Sequence, residues 1–151
     1  MKVFLSYKSE EVEIAERLQN ALDERGHDVW RDQSHIKPGE VWMKAINDAL
    51  LSSDRIIVLF SARAFNSDVV HNEFMHGLRS RNVIGILTDN IVHVPAPYNK
   101  APMISIYNWL VWDITSDIDH LAASLSISDK KFKLLYPTNG AFNQASFTSS
   151  E

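Results

Sequence analysis

A parallel α/β sandwich is the fold this sequence predicts, with five strands and helices on both faces. Three observations predict it. Short apolar runs alternate with segments of helical periodicity, in the order β-α-β-α-β-α-β-loop-β-α, and such alternation builds a parallel sheet. The run "DRIIVLF" (Asp54–Phe60) is continuously apolar and β-branched, as a central strand covered on both faces must be. The chain has 151 residues, of which 45% are hydrophobic and 23% charged, which suits one soluble domain with a core of its own.

The elements follow in order. "KVFLSY" (Lys2–Tyr7) is a short apolar run and the first strand. Val12, Ala15, Leu18 and Leu22 then recur at helical spacing. Ser9 is the expected N-cap of that helix, Glu10, Glu11 and Glu13 suit its positive end, and Gly26 stops it. "HDVWRD" (His27–Asp32) is the second strand, and "QSHIKPGE" the loop after it, punctuated by Pro38-Gly39. In "VWMKAINDALLSS", Trp42, Ala45, Ile46 and Ala49 share a helical face. "SARAFNS" reads as a loop into a helix that runs to about Arg81, with Val70 and Phe74 on its buried side. "NVIGILT" (Asn82–Thr88) is the fourth strand, and "DNIVHVPAPYNKAPM" a Pro-rich surface loop. "ISIYNWLVWDI" holds the fifth strand, and Ile118, Leu121, Ala122 and Leu125 mark the last helix. Residues 1–127 form the domain. Residues 128–151 form an extension, a short helix or a partly disordered Ser/Thr/Asn/Gln-rich tail.

Right-handed crossovers leave few topologies, and the flavodoxin-like order 2-1-3-4-5 leads them. Ligands of such sheets bind beyond the carboxyl ends of the strands, where the strand order reverses. The strand ends expected there bring Ser6, Tyr7 and Lys8 from strand 1, Arg31 and Asp32 from strand 2, and Phe60 and Ser61 from strand 3. Ser67 and Glu73 follow on the next helix.

Several function classes fall on composition and motif. The chain lacks cysteine, so disulfides, thiolate metal sites and a Cys nucleophile are excluded. Its net charge of −4 carries no basic excess of the kind a nucleic-acid partner requires. Apolar runs are too short to span a bilayer, and the start "MKVFLSYKSEEVE" has no apolar signal core, so a cytoplasmic location is expected. Neither G-x-G-x-x-G nor G-x-x-x-x-G-K-[ST] occurs. A phospho-accepting receiver domain needs acidic residues after strand 1 and an Asp ending strand 3, where Ser6-Tyr7 and Phe60-Ser61 stand. None of the six histidines makes an H-x-x-x-H pair, and His71 and His76 lie about 140° apart around a helix, so no metal is expected.

At these residues the chain resembles the TIR (Toll/interleukin-1 receptor) domains, in particular the NAD-cleaving TIR proteins of bacterial immunity and axon degeneration. "VFLSYKSEE" resembles the family's first box. "GHDVWRDQSHIKPGEVWMKAINDAL" is similar to the second box and its loop, and "DRIIVLFSARAFNSDVVHNEF" to the segment that leads into the glutamate-bearing helix. The three span roughly Val3–Leu87, and Ile104–Leu125 fits the last strand and helix.

The resemblance implies that Glu73 is the catalytic residue and that NAD+ is a substrate and not a resident cofactor. It places Ser6, Tyr7, Lys8, Arg31, Asp32, Lys37, Trp42, Ser61 and Ser67 around that substrate. It also makes His35, Ile36, Lys37, Pro38 and Gly39 a self-association loop. It implies ADP-ribose or a cyclic ADP-ribose-type signal as the product. Many enzymatic members carry Trp four residues before the glutamate. Val69 stands there, which favours simple cleavage over cyclisation. The implied setting is Thoeris-like anti-phage defence, with a separate effector reading the nucleotide product. Two other classes share the layout: a TIR adaptor that acts only by self-association, and a nucleoside deoxyribosyltransferase-like enzyme.

Overall fold

The structure is a computed structural model that describes residues 1–31, 40–107 and 117–134. Five parallel strands form one sheet: β1 (Lys2–Ser6), β2 (Asp28–Arg31), β3 (Arg55–Phe60), β4 (Val83–Leu87) and β5 (Met103–Ser105). Their order is β2-β1-β3-β4-β5, as the alternating pattern predicts. Among the described residues the α-helices are α1 (Val12–Glu24), α2 (Glu40–Ser52), α3 (Asp68–Ser80), α4 (Asp117–Leu125) and α5 (Asp129–Lys133). All six residues of β3 and all five of β4 are buried, the mark of strands covered on both faces.

Register assigns each face its helices. Leu5 lies opposite Arg31 and Val3 opposite Arg55, so these side chains share one face of the sheet. Arg31 reaches Glu16 of α1, and Arg55 reaches carbonyls at the end of α4, so α1 and α4 cover that face. Phe4 and Ser6 point the other way. Phe4 stacks on Trp30 at 5.1 Å, and Trp30 stacks on Trp42 of α2 at 5.7 Å. Ser6 meets α3, so α2 and α3 cover the second face.

Local chemistry departs from the sequence expectation in four places. Ser9 does not cap α1. It opens a one-turn 3-10 helix (Ser9–Glu11) in which the Glu11 amide donates to the Lys8 carbonyl, and α1 begins at Val12. Ala62–Asn66, expected as loop, is also a 3-10 turn. β5 is shorter than the apolar run suggested, and starts one residue earlier. The Pro-rich connection is not wholly superficial. Tyr98 is buried against Phe60, Phe65 and Phe74, and its hydroxyl meets His71 Nδ1 at 2.9 Å. Burial raises the pKa of that phenol.

One glycine sets the distance between α3 and the sheet. A β-carbon on Gly77 would lie 2.5 Å from Val83 Cβ and 3.2 Å from Ile56 Cδ1, so the helix rests on the strands through a bare backbone. Gly77→Ala is expected to lift α3. The clash of about 1–3 kcal/mol outweighs the ~1 kcal/mol gain in helix propensity, and thermal denaturation should record a lower midpoint.

The candidate active site at the strand-order reversal

Strand order reverses between β1 and β3, and the carboxyl end of β1 lies at that reversal. Ser6, the last residue of β1, is fully buried. It donates its hydroxyl to Glu73 Oε1 at 2.5 Å. Glu73 is only 2% exposed, an uncommon burial for a carboxylate, and its hydrogen-bonded partner comes from 67 residues earlier in the chain. The local sequence explains its placement. Ser67 caps α3 by accepting from the Val70 amide at 3.3 Å. The helix then turns Val70, Glu73, Phe74 and Gly77 toward the sheet. Glu73 is the sixth residue of α3, beyond the first turn where the helix dipole acts strongly, so the Ser6 hydroxyl does more than the helix terminus to hold and orient the carboxylate.

Beside Glu73 a cavity of about 230 Å³ opens between α2 and α3. From α2 it takes Met43, Ile46, Asn47 and Leu50, one face at spacings of three and four. From α3 it takes Val69, Asn72, Glu73, His76 and Arg79. Ile46 and Leu50 are buried, and Met43 and Val69 are half exposed at its rim. Of the residues expected to surround a ligand, only Glu73 lines this cavity, with Ser6 directly behind it.

The other expected site residues are distributed as follows. Tyr7 and Arg31 lie on the α1 side of the sheet. Arg31 Nη1 donates to the Tyr7 hydroxyl at 3.4 Å, its guanidinium sits 5.9 Å from the Tyr7 ring centroid, and Glu16 is 3.8 Å away. Lys8 is half-buried just before the 3-10 turn. Trp42 is half-buried in the aromatic stack under α2. Ser61 is buried at the end of β3, its hydroxyl without a hydrogen-bond partner among the described residues. Asp32 and the loop His35–Gly39, including Lys37 and Pro38, lie outside the described residues. The sequence does not single out Met43, Asn47, Asn72 and Arg79, and His76 enters it only as a rejected metal ligand. Their only signal is spacing, since each recurs on one helix face and the two faces meet only in the fold.

Above the sheet the loops are tied together. Thr88 donates to Glu11 Oε1 at 3.0 Å, Asp89 accepts the Ala62 amide at 2.8 Å, and Arg63 pairs with Glu10 at 3.6 Å. Burial raises the Glu11 pKa above its ordinary 4.5, with the nearby Asp89 and Glu10 charges adding to it and the Thr88 hydrogen bond opposing. A carboxyl whose pKa is raised on folding destabilises the fold once ionised, so its penalty grows as pH climbs from the unfolded value through the folded one. Glu11→Gln keeps an oxygen for Thr88 and removes the charge. Its melting midpoint should exceed that of the wild type at neutral pH and converge with it in acid below 4.5. Among the described residues no group of three or more acidic or histidine side chains is placed to hold a metal ion. No helix among them is long and apolar enough to cross a membrane.

A five-stranded parallel sheet of order β2-β1-β3-β4-β5, with a buried carboxylate beside a cleft between α2 and α3, defines a doubly wound α/β domain. The chain belongs to the TIR domain family, whose family model matches residues 3–122. Among solved structures it is similar to the TIR domain of the Toll-related receptor TRR-2 from Hydra magnipapillata. That likeness has a TM-score of 0.57 and 23% identity, and covers 77% of this chain and 96% of that one. It is similar also to a 2-deoxyribosyltransferase from Bacillus psychrosaccharolyticus (TM-score 0.62, 10% identity, 87% and 96% covered). A third is the Clostridium botulinum CMP N-glycosidase (TM-score 0.51, 16% identity, 76% and 98% covered). At these identities the likenesses establish the shared fold. Among curated proteins none matches the chain.

Proposed function

We propose that this TIR domain is an NAD+ glycohydrolase and that Glu73 is its catalytic residue. The observation that carries the reading is a carboxylate at the wall of a cleft, held by Ser6 from the carboxyl end of β1, where the strand order reverses. A buried carboxylate held by a hydrogen bond at a cavity wall is a candidate for a functional group. The names of two structural neighbours, a deoxyribosyltransferase and an N-glycosidase, agree with the use of this fold on glycosidic bonds.

The chemistry asks little of the protein. Nicotinamide is joined to ribose through a cationic nitrogen, so it leaves as a neutral base without a proton donor. The C1′–N1 bond breaks with its electron pair going to the ring nitrogen, and positive charge spreads over the ribose carbon and ring oxygen. An ionised Glu73 stabilises that charge and accepts hydrogen bonds from the ribose hydroxyls. Water then adds at C1′ and releases a proton, giving ADP-ribose. Ser6 keeps the carboxylate aimed. In this reading Lys8 and Ser61 meet the rest of the nucleotide. Val69 leaves the cleft without an aromatic wall, which favours water over internal attack by the adenine.

The wider setting follows the same reading. The protein acts in the cytoplasm in anti-phage defence, assembles through the loop His35–Gly39, and makes a nucleotide product that a separate effector reads. Incubating concentrated protein with NAD+ and, separately, with pairs of deoxynucleosides and free purine bases tests the activity. Nicotinamide release supports the reading. Base exchange on deoxynucleosides reassigns the chain to deoxyribosyl transfer, and neither reaction leaves the self-associating adaptor.

A further inference from the structure

The cleft between α2 and α3 has properties that the role of Glu73 does not explain. Its volume of about 230 Å³ falls below the ~300–1,000 Å³ typical of sites for drug-sized ligands, so it admits one ring with a substituent and not a whole dinucleotide. Its α2 wall is apolar through Met43, Ile46 and Leu50, and its α3 wall carries Val69 beside the polar side chains of Asn72, Glu73, His76 and Arg79. Each helix also contributes one carboxamide, Asn47 from α2 and Asn72 from α3. Both amides are exposed at the mouth, and Asn72 directly precedes Glu73.

Resting on the glycohydrolase reading above, we propose that this cleft is the leaving-group pocket and that Asn47 and Asn72 recognise the carboxamide of the pyridine ring. The flat ring lies on the apolar α2 wall, with Val69 at its edge. Its nitrogen, bonded to the ribose, lies toward Glu73. A primary carboxamide offers one acceptor and two donor hydrogens, and a side-chain amide offers the same set, so the two groups pair reciprocally. Two such amides from opposite walls select for a ring bearing both functions. Helix α2 thereby contributes to substrate choice without touching the reacting carbon.

The test uses NAD+ and its 3-acetylpyridine analogue. The analogue keeps the ring carbonyl and loses the amide N–H groups. Sites that hydrogen-bond a substrate group discriminate strongly against analogues lacking it, so wild type should favour NAD+ by about 10-fold or more in kcat/KM. Asn47→Ala/Asn72→Ala should lower kcat/KM for NAD+ by clearly more than for the analogue, which has only the carbonyl contact to lose, and so erase the preference. A preference that survives in the double variant overturns the proposal.

A second measurement does not depend on turnover. Nicotinamide titrated into the full chain should shift the NMR resonances of Ile46, Asn47, Asn72 and Glu73, and the double variant should bind it several-fold more weakly. Shifts elsewhere, or equal binding by the variant, also overturn the proposal. Nicotinamide bound in the cleft of a protein that never cleaves NAD+ would sink the glycohydrolase reading and overturn the leaving-group role, leaving only carboxamide recognition by Asn47 and Asn72.

Discussion

Glu73→Gln is expected to slow nicotinamide release from NAD+ by about 10²–10³-fold, the loss typical when one electrostatic stabiliser of a transition state is removed. The substitution isolates charge from shape. Gln fills the same volume in the 2%-exposed site, and its amide oxygen still accepts from Ser6. What disappears is the negative charge next to the carbon where positive charge develops, in a setting of low dielectric where that charge acts strongly. Chromatographic quantitation of nicotinamide gives the rate, and circular dichroism melts should show that the variant remains folded. Release equal to wild type would remove Glu73 from the mechanism.

Arg55→Met is expected to give a large loss of stability. Arg55 is 0% exposed at the start of β3, under the face covered by α1 and α4. Its Nη1 donates to the Leu125 carbonyl at 2.7 Å and to the Ile127 carbonyl at 2.9 Å, and its guanidinium lies 4.0 Å over the Phe132 ring. One cation thus satisfies the carboxyl end of α4, where a positive charge is favourable, and holds α5 by its aromatic residue. Met keeps much of the aliphatic volume and loses every donor. Two carbonyls lose a charged partner, at about 1.5–3 kcal/mol each, so a total near 3 kcal/mol or more is expected. That loss corresponds to a fall of roughly 6–12 °C in melting midpoint for a domain of this size. Arg55→Lys should rescue little, because an ammonium group cannot reproduce the planar fork over the ring. Limited proteolysis near Ser126–Ser128 should accelerate in both variants.

The sheet order was legible because each strand is a short apolar run and each crossover a periodic helix. β3 and β4, buried on both faces, were the plainest of all. Arg55 was hidden inside the same signal, since a single cation at a strand start reads as its edge. Its partners lie 70 and 72 residues downstream, so only the fold shows what it does. Tyr98 was missed for a related reason. Its Pro-rich surroundings read as surface, while its ring packs on phenylalanines contributed by β3, α3 and the turn between them. In the candidate site, Ser6 and Glu73 were both visible as polar residues next to strand and helix positions that must be buried. Tyr7 and Arg31 were grouped with them by their nearness to the same edge, yet register turns both toward α1. The α2 half of the cleft was invisible, because facing helix surfaces carry no mark in the chain beyond their spacing.

The central claim is that the cleft at Glu73 cleaves the nicotinamide–ribose bond. Following wild-type protein with NAD+ over time, at high protein concentration and with a crowding agent that promotes assembly, tests it most directly. Nicotinamide and ADP-ribose, linear or cyclised, should accumulate in equal amounts as NAD+ declines. NAD+ that stays intact under those conditions would contradict the account.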